Sequence, residues 1–347
     1  MQASKLLLLV LFITLLAPGS AAGAGSADEP DLRPVYVFTP AAAGSHPLYA
    51  QVVDAVEETT ERLPDLITEQ VVLDDRSSER MRQAAQSRHT ALIVSVGNPL
   101  LEPTREAASS HPSADFLMVD GYLPELPNVV SLRIHRREQA FVAGYIAGLR
   151  LALQAEDRDE VLEAGLLFES GVQVAEQVIA PAFRLGLKAA RSANIPVTRR
   201  IPRGASEEVV SAGVRSFTED GIDTIFALLY SSRDAFLLTA GEESALVIWP
   251  DERYPQTARG RTLASIPLDV EDTVADLVLE LAGGQRVTGS SGVESRIADF
   301  ASGALSVNTD FDRFSEAFGE EEAQMVRTMA ERLASGDLVL EMPGLER

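Results

Sequence analysis

Short apolar segments and longer segments of helical periodicity alternate along most of this chain. Ten runs rich in apolar and β-branched residues are predicted as strands: Val35–Thr39, Thr68–Leu73, Ala91–Val96, Asp115–Val119, Val129–Ile134, Glu163–Phe168, Val197–Ile201, Thr224–Leu229, Ala245–Pro250 and Thr262–Ile266. Most of them are apolar throughout, as expected of strands that helices cover on both faces. The pattern therefore predicts an α/β protein with parallel sheets.

The segments between these strands have the periodicity of helices. Seven are predicted: Leu48–Leu63, Ser78–Ser87, Glu138–Leu153, Gln173–Ala193, Glu207–Glu219, Asp234–Glu242 and Val270–Ala282. Near-regular alternation of strand and helix favours right-handed βαβ units. With 347 residues, 46% of them hydrophobic, the chain is long enough for two such lobes of about 150 residues, each with its own core.

Residues 1–24 show the order of regions found in a cleavable secretory signal. Lys5 precedes the run Leu6–Ala17, which is apolar apart from Thr14, and small residues such as Ser20–Ala22 follow. The apolar run is shorter than the roughly 20 residues of a membrane span, and an N-terminal anchor is the alternative interpretation. The protein is therefore expected to be periplasmic or secreted.

Composition excludes several classes of function. The chain has no cysteine, which excludes disulfides, a Cys nucleophile, thiolate metal ligands and a lipid anchor on an N-terminal Cys. Its formal net charge of −22 argues against nucleic acid as a partner. The charge does not identify a ligand, because net charge affects association and solubility rather than fold. We expect a monomer with a solvated acidic surface.

Polar or aromatic side chains follow four of the predicted strands. Asn98 follows the third strand, Asp120 the fourth, Tyr230 the eighth and Asp251 the ninth. In open α/β sheets, ligands bind beyond the carboxyl ends of the strands. These positions are therefore predicted to surround a ligand.

Three runs in the first half of the chain carry a specific motif. Phe116–Gly121 ends in Asp-Gly, Asn128–Leu132 reads Asn-Val-Val-Ser-Leu, and Glu138–Gly148 reads Glu-Gln-Ala-Phe-Val-Ala-Gly-Tyr-Ile-Ala-Gly. They resemble the basic membrane protein family of periplasmic nucleoside-binding proteins almost residue for residue. Further similar segments extend the resemblance over most of the chain: Gly221–Phe226, Val247–Asp251, Leu263–Ser265 and Leu333–Asp337.

This resemblance implies the type I periplasmic-binding-protein fold, in which two doubly wound parallel-sheet lobes are joined by three crossovers. One lobe is expected to contain residues 33–134 and about 267–292, and the other residues 135–266 and about 293–347. The resemblance also implies a small-molecule ligand, such as a purine nucleoside, held in the cleft between the lobes. The implied partner is the permease of an ABC importer.

The chain departs from the family at positions where the family contacts its ligand. Ser45–Tyr49 stands where the family has Asp-Lys-Ser-Phe-Asn, so a base-stacking Phe and a hydrogen-bonding Asn are replaced. Leu268 stands in place of a Lys, and Tyr230 with two serines replaces a glycine-rich turn. Two carboxylates of the family pattern, Asp120 and Asp251, are retained.

The candidate ligand contacts are Asp251, Asp120, Tyr230, Tyr49, Asn98 and His46. The family's counterpart of Asp251 accepts hydrogen bonds from ribose hydroxyls, and a charged acceptor strengthens such bonds. For both aspartates the alternative is a turn-forming role. The tyrosines are suited either to stacking against a base or to ordinary packing. Trp249 is predicted to lie in the core, and Gly144 and Gly148 are predicted to allow close helix packing.

No catalytic or metal-binding pattern is recognised. The four histidines do not have the spacing of a zinc site, so no metal or cofactor is expected. Gly289–Gly292 reads Gly-Ser-Ser-Gly, one residue short of a nucleophile elbow. A non-enzymatic solute-binding protein is therefore the leading hypothesis. The alternatives are a ligand sensor or docking protein that has lost nucleoside transport, and a hydrolase with a cleft carboxylate as general base.

Overall fold

The computed structural model describes residues 32–41, 46–74, 76–155, 162–169, 175–190, 196–202, 204–229, 232–250, 260–283 and 295–340. In chain order the strands are β1 Arg33–Thr39, β2 Leu66–Val72, β3 Leu92–Val96, β4 Phe116–Val119, β5 Val129–Ile134, β6 Gly165–Glu169, β7 Val197–Ile201, β8 Thr224–Leu228, β9 Leu246–Trp249, β10 Thr262–Ser265 and β11 Ser295–Ala298. The α-helices are α1 Pro47–Glu61, α2 Ser77–Gln86, α3 Leu101–Ser110, α4 Arg136–Ala155, α5 Ala180–Ala189, α6 Glu207–Glu219, α7 Arg233–Glu242, α8 Glu271–Ala282, α9 Asp312–Ala317 and α10 Glu320–Ala334.

The strands form two sheets. The first has six strands in the order β11-β5-β4-β3-β1-β2, and the second has five in the order β10-β9-β8-β6-β7. Within the described strands every pairing is parallel. The predicted α/β fold with two doubly wound parallel-sheet lobes is confirmed. In each sheet the strand order reverses once, between β1 and β3 and between β6 and β8, and such switch points are where ligands of doubly wound sheets bind.

Helices cover both faces of the first sheet because side chains on successive residues of a strand point to opposite faces. Val35 and Val37 of β1 lie in one core with residues of α1 and α8. Phe38 belongs instead to a core with Met81 of α2 and Ala107 of α3. This burial on both faces explains why the central strands are apolar throughout.

The second sheet is covered in the same way. One face packs against α6 and α7, with Phe217, Phe236 and Trp249 among its buried residues. The predicted core position of Trp249 is confirmed, since its side chain is 1% exposed. The opposite face contributes residues such as Phe168 to the core that also contains α4 and α5.

Helices α4 and α5 approach each other closely at glycines. A Cβ atom on Gly144 would lie 2.0 Å from the carbonyl oxygen of Phe183, and one on Gly148 would lie 3.0 Å from the Cα atom of Leu187. A Cβ atom on Gly186 of α5 would likewise lie 2.0 Å from the carbonyl oxygen of Phe141. Neither helix could come this near if these positions carried side chains. The predicted packing role of Gly144 and Gly148 is confirmed.

The chain passes between the two sheets three times. It leaves the first sheet after β5 through α4, returns after β10 to α8, and leaves again after β11, where Asn308 bridges to Ser265 of β10. Strand β11 falls within the residue range predicted for the second lobe, yet it pairs with β5 in the first sheet. The lobe boundaries themselves stay a prediction. Among the described residues, no helix has the length and apolar character that a membrane span requires.

Candidate ligand site at the carboxyl ends of the strands

Asp120 follows β4 directly and has a left-handed backbone conformation. Its φ is 57°, which is uncommon for a residue other than Gly and is tolerated best by Asn and Asp. Its backbone N–H donates to the carbonyl oxygen of Leu132 at 2.9 Å, which fixes the turn. The Asp120 carboxylate lies 3.5 Å from Nη2 of Arg136, and both side chains are largely buried. The carboxylate is therefore held at the edge of the sheet beside a cation.

A chain of polar contacts continues from Arg136 to the second sheet. Nη1 of Arg136 donates to Oε1 of Gln139 at 3.3 Å. Nε2 of Gln139 donates to the carbonyl oxygen of Pro250 at 2.9 Å and to that of Ile266 at 2.6 Å. Pro250 follows β9 and Ile266 follows β10, so these contacts join the carboxyl ends of strands in both sheets.

His46 and Tyr49 stand at the start of α1, just after β1. Nδ1 of His46 accepts a hydrogen bond from the backbone N–H of Leu48 at 3.1 Å, which caps the helix. The two rings are 4.9 Å apart, and their residues are 6% and 4% exposed. Tyr49 belongs to the main core, so in this structure its ring is packed rather than presented to solvent.

Two arginines from different helices lower the pKa of the His46 imidazole. Burial lowers the pKa of His46 well below 6.5, and the charges of Arg233 and Arg136 lower it further. Arg136 begins α4 and Arg233 begins α7, so both guanidiniums come from the first residue after a strand-to-helix turn. The region between the strand ends therefore has a positive potential at the imidazole.

Trp249 and Ser265 leave polar atoms unsatisfied at the ends of β9 and β10. The two residues are partners in register, and both are buried. Neither Nε1 of Trp249 nor Oγ of Ser265 has a hydrogen-bond partner in the part of the chain that the structure describes. The guanidinium carbon of Arg233 lies 4.8 Å above the Trp249 ring. Buried polar groups are nearly always hydrogen-bonded, so each such atom is a candidate partner for a bound molecule or water.

The structure brings some of the predicted residues together. Asn98 and Asp120 line one cavity of about 650 Å³, and Arg136 lines it with them. His46 and Tyr49 contact each other but do not line this cavity. Asp251 and Tyr230 lie outside the described residues. Their roles as ligand contacts stay predictions.

Sequence reasoning missed the residues that connect these positions. Arg136 and Arg233 are not among the residues selected from the sequence, although each is the first residue of a helix that follows a strand. Gln139 and Ser265 lie within the family motifs quoted above, but the motifs alone do not indicate which contacts these residues make. A basic residue at the start of a helix that follows a strand is the signal that could have found both arginines.

Comparisons with known proteins agree with this architecture. A family model described as "ABC transporter substrate-binding protein PnrA-like", named Bmp, matches residues 33–326. The fold is similar to that of an ABC transporter solute-binding protein from Aeropyrum pernix K1, at 14% identity and a TM-score of 0.73, covering 90% of this chain and 94% of that one. A solute-binding protein from Conexibacter woesei DSM 14684 is similar at 17% identity and a TM-score of 0.64, covering 89% and 98%.

The fold is also similar to that of a protein of a different stated role. A transcriptional activator of the comK gene from Bacillus halodurans matches at 14% identity and a TM-score of 0.64, covering 87% of this chain and 98% of that one. At these identities the likeness establishes the fold alone.

Proposed function

Because the chain belongs to the Bmp family of PnrA-like ABC transporter substrate-binding proteins, we propose that it is an exported receptor that captures a nucleoside-like solute for an ABC importer. The family consists of solute-binding proteins and is not a class of enzymes. Membership implies a small-molecule ligand and a membrane permease as partners. Export is supported by the leader-like composition of residues 1–24.

The observation that carries the proposal is the polar connection between the two sheets. At the end of β4, the Asp120 carboxylate lies beside Arg136, and Arg136 donates to Gln139. Gln139 in turn donates to carbonyl oxygens at the ends of β9 and β10. Polar groups of both lobes therefore converge beyond the carboxyl ends of parallel strands, which is the edge where open α/β sheets bind ligands. A solute bound there contacts both lobes and favours hinge closure.

The nucleoside assignment depends on two carboxylates and on aromatic side chains. In sequence, Asp120 comes directly after β4 and Asp251 comes two residues after the last residue of β9, and a pair of carboxylates is suited to accept hydrogen bonds from ribose hydroxyls. Tyr230 is the proposed stacking surface for the base, since Tyr49 is packed in the core. Asn98 and His46 are proposed as further polar contacts.

Thermal-shift screening tests this function. The purified protein is heated with nucleosides, nucleobases, pentoses and amino acids, because a ligand at a hundred times its Kd stabilises a protein by about 2.7 kcal/mol. We expect stabilisation by nucleosides that is lost in Asp251→Ala and Asp120→Ala. Asp276→Ala is the matched control, since this exposed aspartate lies on α8. If nucleosides give no shift and another class of compound does, the nucleoside assignment is wrong and the ligand belongs to that other class.

A second candidate function is a sensor or docking protein. It is favoured by the replacements at Ser45–Tyr49 and Leu268, where the family contacts its ligand, and by the burial of Tyr49 and Leu268 at 4% exposure each. A sensor needs a partner other than a permease. A sensor kinase gene beside this gene, with no permease gene nearby, would support that function over transport.

A further inference from the structure

Three side chains at the hinge bring metal-ligating atoms together. His135 follows β5, Glu138 lies in the first turn of α4, and Asp299 follows β11. Strands β5 and β11 are paired in register up to Ile134 and Ala298, and the His135 N–H donates to the Ala298 carbonyl oxygen at 2.9 Å. Residues that are far apart in sequence are therefore fixed side by side.

The two distances from His135 to the carboxylates fit a shared cation better than direct ion pairs. Nδ1 of His135 is 3.4 Å from Oε1 of Glu138 and 3.5 Å from Oδ2 of Asp299, and the three ligand atoms lie within 4.8 Å of one another. Charge-assisted hydrogen bonds are shorter, at about 2.7–2.9 Å. Around a tetrahedral Zn²⁺ with bonds of about 2.0–2.2 Å, neighbouring ligand atoms are about 3.3–3.6 Å apart.

Each carboxylate is oriented by a backbone N–H on its other oxygen. Oε2 of Glu138 accepts from the N–H of Phe300 at 3.0 Å. Oδ1 of Asp299 accepts from the N–H of Ser302 at 2.8 Å. One oxygen of each group is thus occupied, while the other is directed towards His135. Such outer contacts orient the ligands of metal sites.

We propose that His135, Glu138 and Asp299 bind Zn²⁺ or a similar first-row divalent cation. A neutral imidazole and two carboxylates carry a charge of −2, which a divalent cation balances. A nitrogen ligand with two oxygens favours these metals over Mg²⁺ and Ca²⁺, which take oxygen ligands. The sequence expectation of no metal site relied on spacing between histidines. This site instead combines one histidine with a carboxylate three residues away and a second carboxylate that is distant in sequence.

The residues around this cluster indicate where a fourth ligand would come from and what a bound metal would connect. All three side chains line the cavity of about 650 Å³, so a water or a solute atom from the cavity completes the coordination. Arg136 and Arg137 line the same cavity, and Arg136 lies beside the Asp120 carboxylate. His135 and Glu138 belong to the first crossover, whereas Asp299 belongs to the third. The cation therefore links two of the three hinge segments.

Metal titration tests this site without any solute, so its outcome is independent of the proposed transport function. The purified protein, freed of any histidine tag and treated with a chelator, is titrated with Zn²⁺ in competition with a chromophoric chelator. We expect one bound equivalent and an affinity at least about tenfold weaker in His135→Gln and in Asp299→Asn, by analogy with the losses seen at perturbed metal sites. Asp299→Asn keeps the acceptor for the Ser302 N–H, which protects the local fold.

Control variants and a second measurement separate this site from unspecific binding. His89→Gln changes an exposed histidine outside the cluster and is expected to bind like the wild type. Zn²⁺ is expected to raise the Tm of the wild type and of His89→Gln, but not of Asp299→Asn. Absence of stoichiometric binding overturns the proposal, and so does binding that is equally strong in all variants.

Discussion

Nε2 of Gln139 lies 2.6 Å from the carbonyl oxygen of Ile266. The same nitrogen donates to the Pro250 carbonyl oxygen at 2.9 Å, and Gln139 is fully buried. A single amide at the start of α4 thus uses both of its N–H groups on the ends of two strands of the second sheet. The loss of these hydrogen bonds would cost stability, because neither carbonyl oxygen has ready access to water that could replace the Gln139 donor.

Gln139→Leu is expected to destabilise the protein. The substitution keeps the approximate volume of the side chain but leaves two buried carbonyl oxygens without this donor, which costs about 1–3 kcal/mol for each group left unsatisfied. The free energy of unfolding in urea measures the effect. Gln83→Leu on the exposed face of α2 is the control and is expected to change stability by no more than about 0.5 kcal/mol. Equal effects of the two substitutions would contradict a stabilising role for the hydrogen bonds of Gln139 to the two strand ends.

Gly144→Ala is expected to disrupt the packing of α4 on α5. A methyl group would lie 2.0 Å from the Phe183 carbonyl oxygen, so the helices have to separate, at a cost of about 1–3 kcal/mol or more. Gly241→Ala provides the contrast, because a Cβ atom there meets nothing within 4 Å. That change is expected to be neutral or stabilising by up to about 1 kcal/mol. Thermal unfolding of both variants checks the prediction, which fails if their Tm values fall equally.

Asn128→Asp is expected to destabilise the turn after α3. Nδ2 of Asn128 lies 3.0–3.2 Å from the carbonyl oxygens of Ala108, His111 and Ala114. A carboxylate oxygen in that position would face three acceptors, and the loss of a buried donor costs about 1–3 kcal/mol. The unfolding free energy at neutral pH measures the loss.

Asn308→Asp is the control for Asn128→Asp. The side-chain oxygen of Asn308 accepts from the N–H of Asp310 at 2.9 Å, and a carboxylate accepts such a bond equally well. We expect little change in that variant. A loss of stability in Asn308→Asp as large as that in Asn128→Asp would show that the added charge, rather than the lost donor, is responsible.

Most of the fold was predictable because the buried parallel strands are apolar throughout. All ten predicted strands are present, and no end is shifted by more than two residues. Strand β11 escaped prediction because its sequence, Ser-Arg-Ile-Ala, is short and polar and lies at a sheet edge. Helix α3 was missed because it contains Pro103, which is unfavourable inside a helix, within a short segment. Helix α10 was not predicted either, although its buried Val326 and Leu333 have helical spacing.

The site was less predictable than the fold because its residues are distant in sequence. Asp120 and Asn98 were found from their positions after strands. The contact between Arg136 and Asp120 required the relative placement of β4 and α4, and the approach of Asp299 to His135 required the unpredicted strand β11. Such juxtapositions arise from strand order, which local periodicity does not specify.

The buried imidazole of His46 is expected to make the stability of the protein depend on pH. Burial, together with Arg233 and Arg136, lowers the pKa of His46 well below its value of 6.5 in the unfolded chain. Below pH 6.5 the unfolded state therefore binds a proton that the folded state does not bind, and stability falls by about 1.4 kcal/mol per pH unit until the folded pKa is reached. Above pH 6.5 both states are neutral, and this contribution to stability is fully present.

His46→Asn isolates this contribution, because Asn also caps helices but does not titrate. The free energy of unfolding of the variant minus that of the wild type is measured from about pH 7.5 to about pH 5, where the shared carboxylates cancel. We expect this difference to move in favour of the variant as the pH falls below 6.5. A flat difference for His46→Asn would mean that the imidazole becomes protonated in the folded protein, and that its environment is less positive than the two arginines imply.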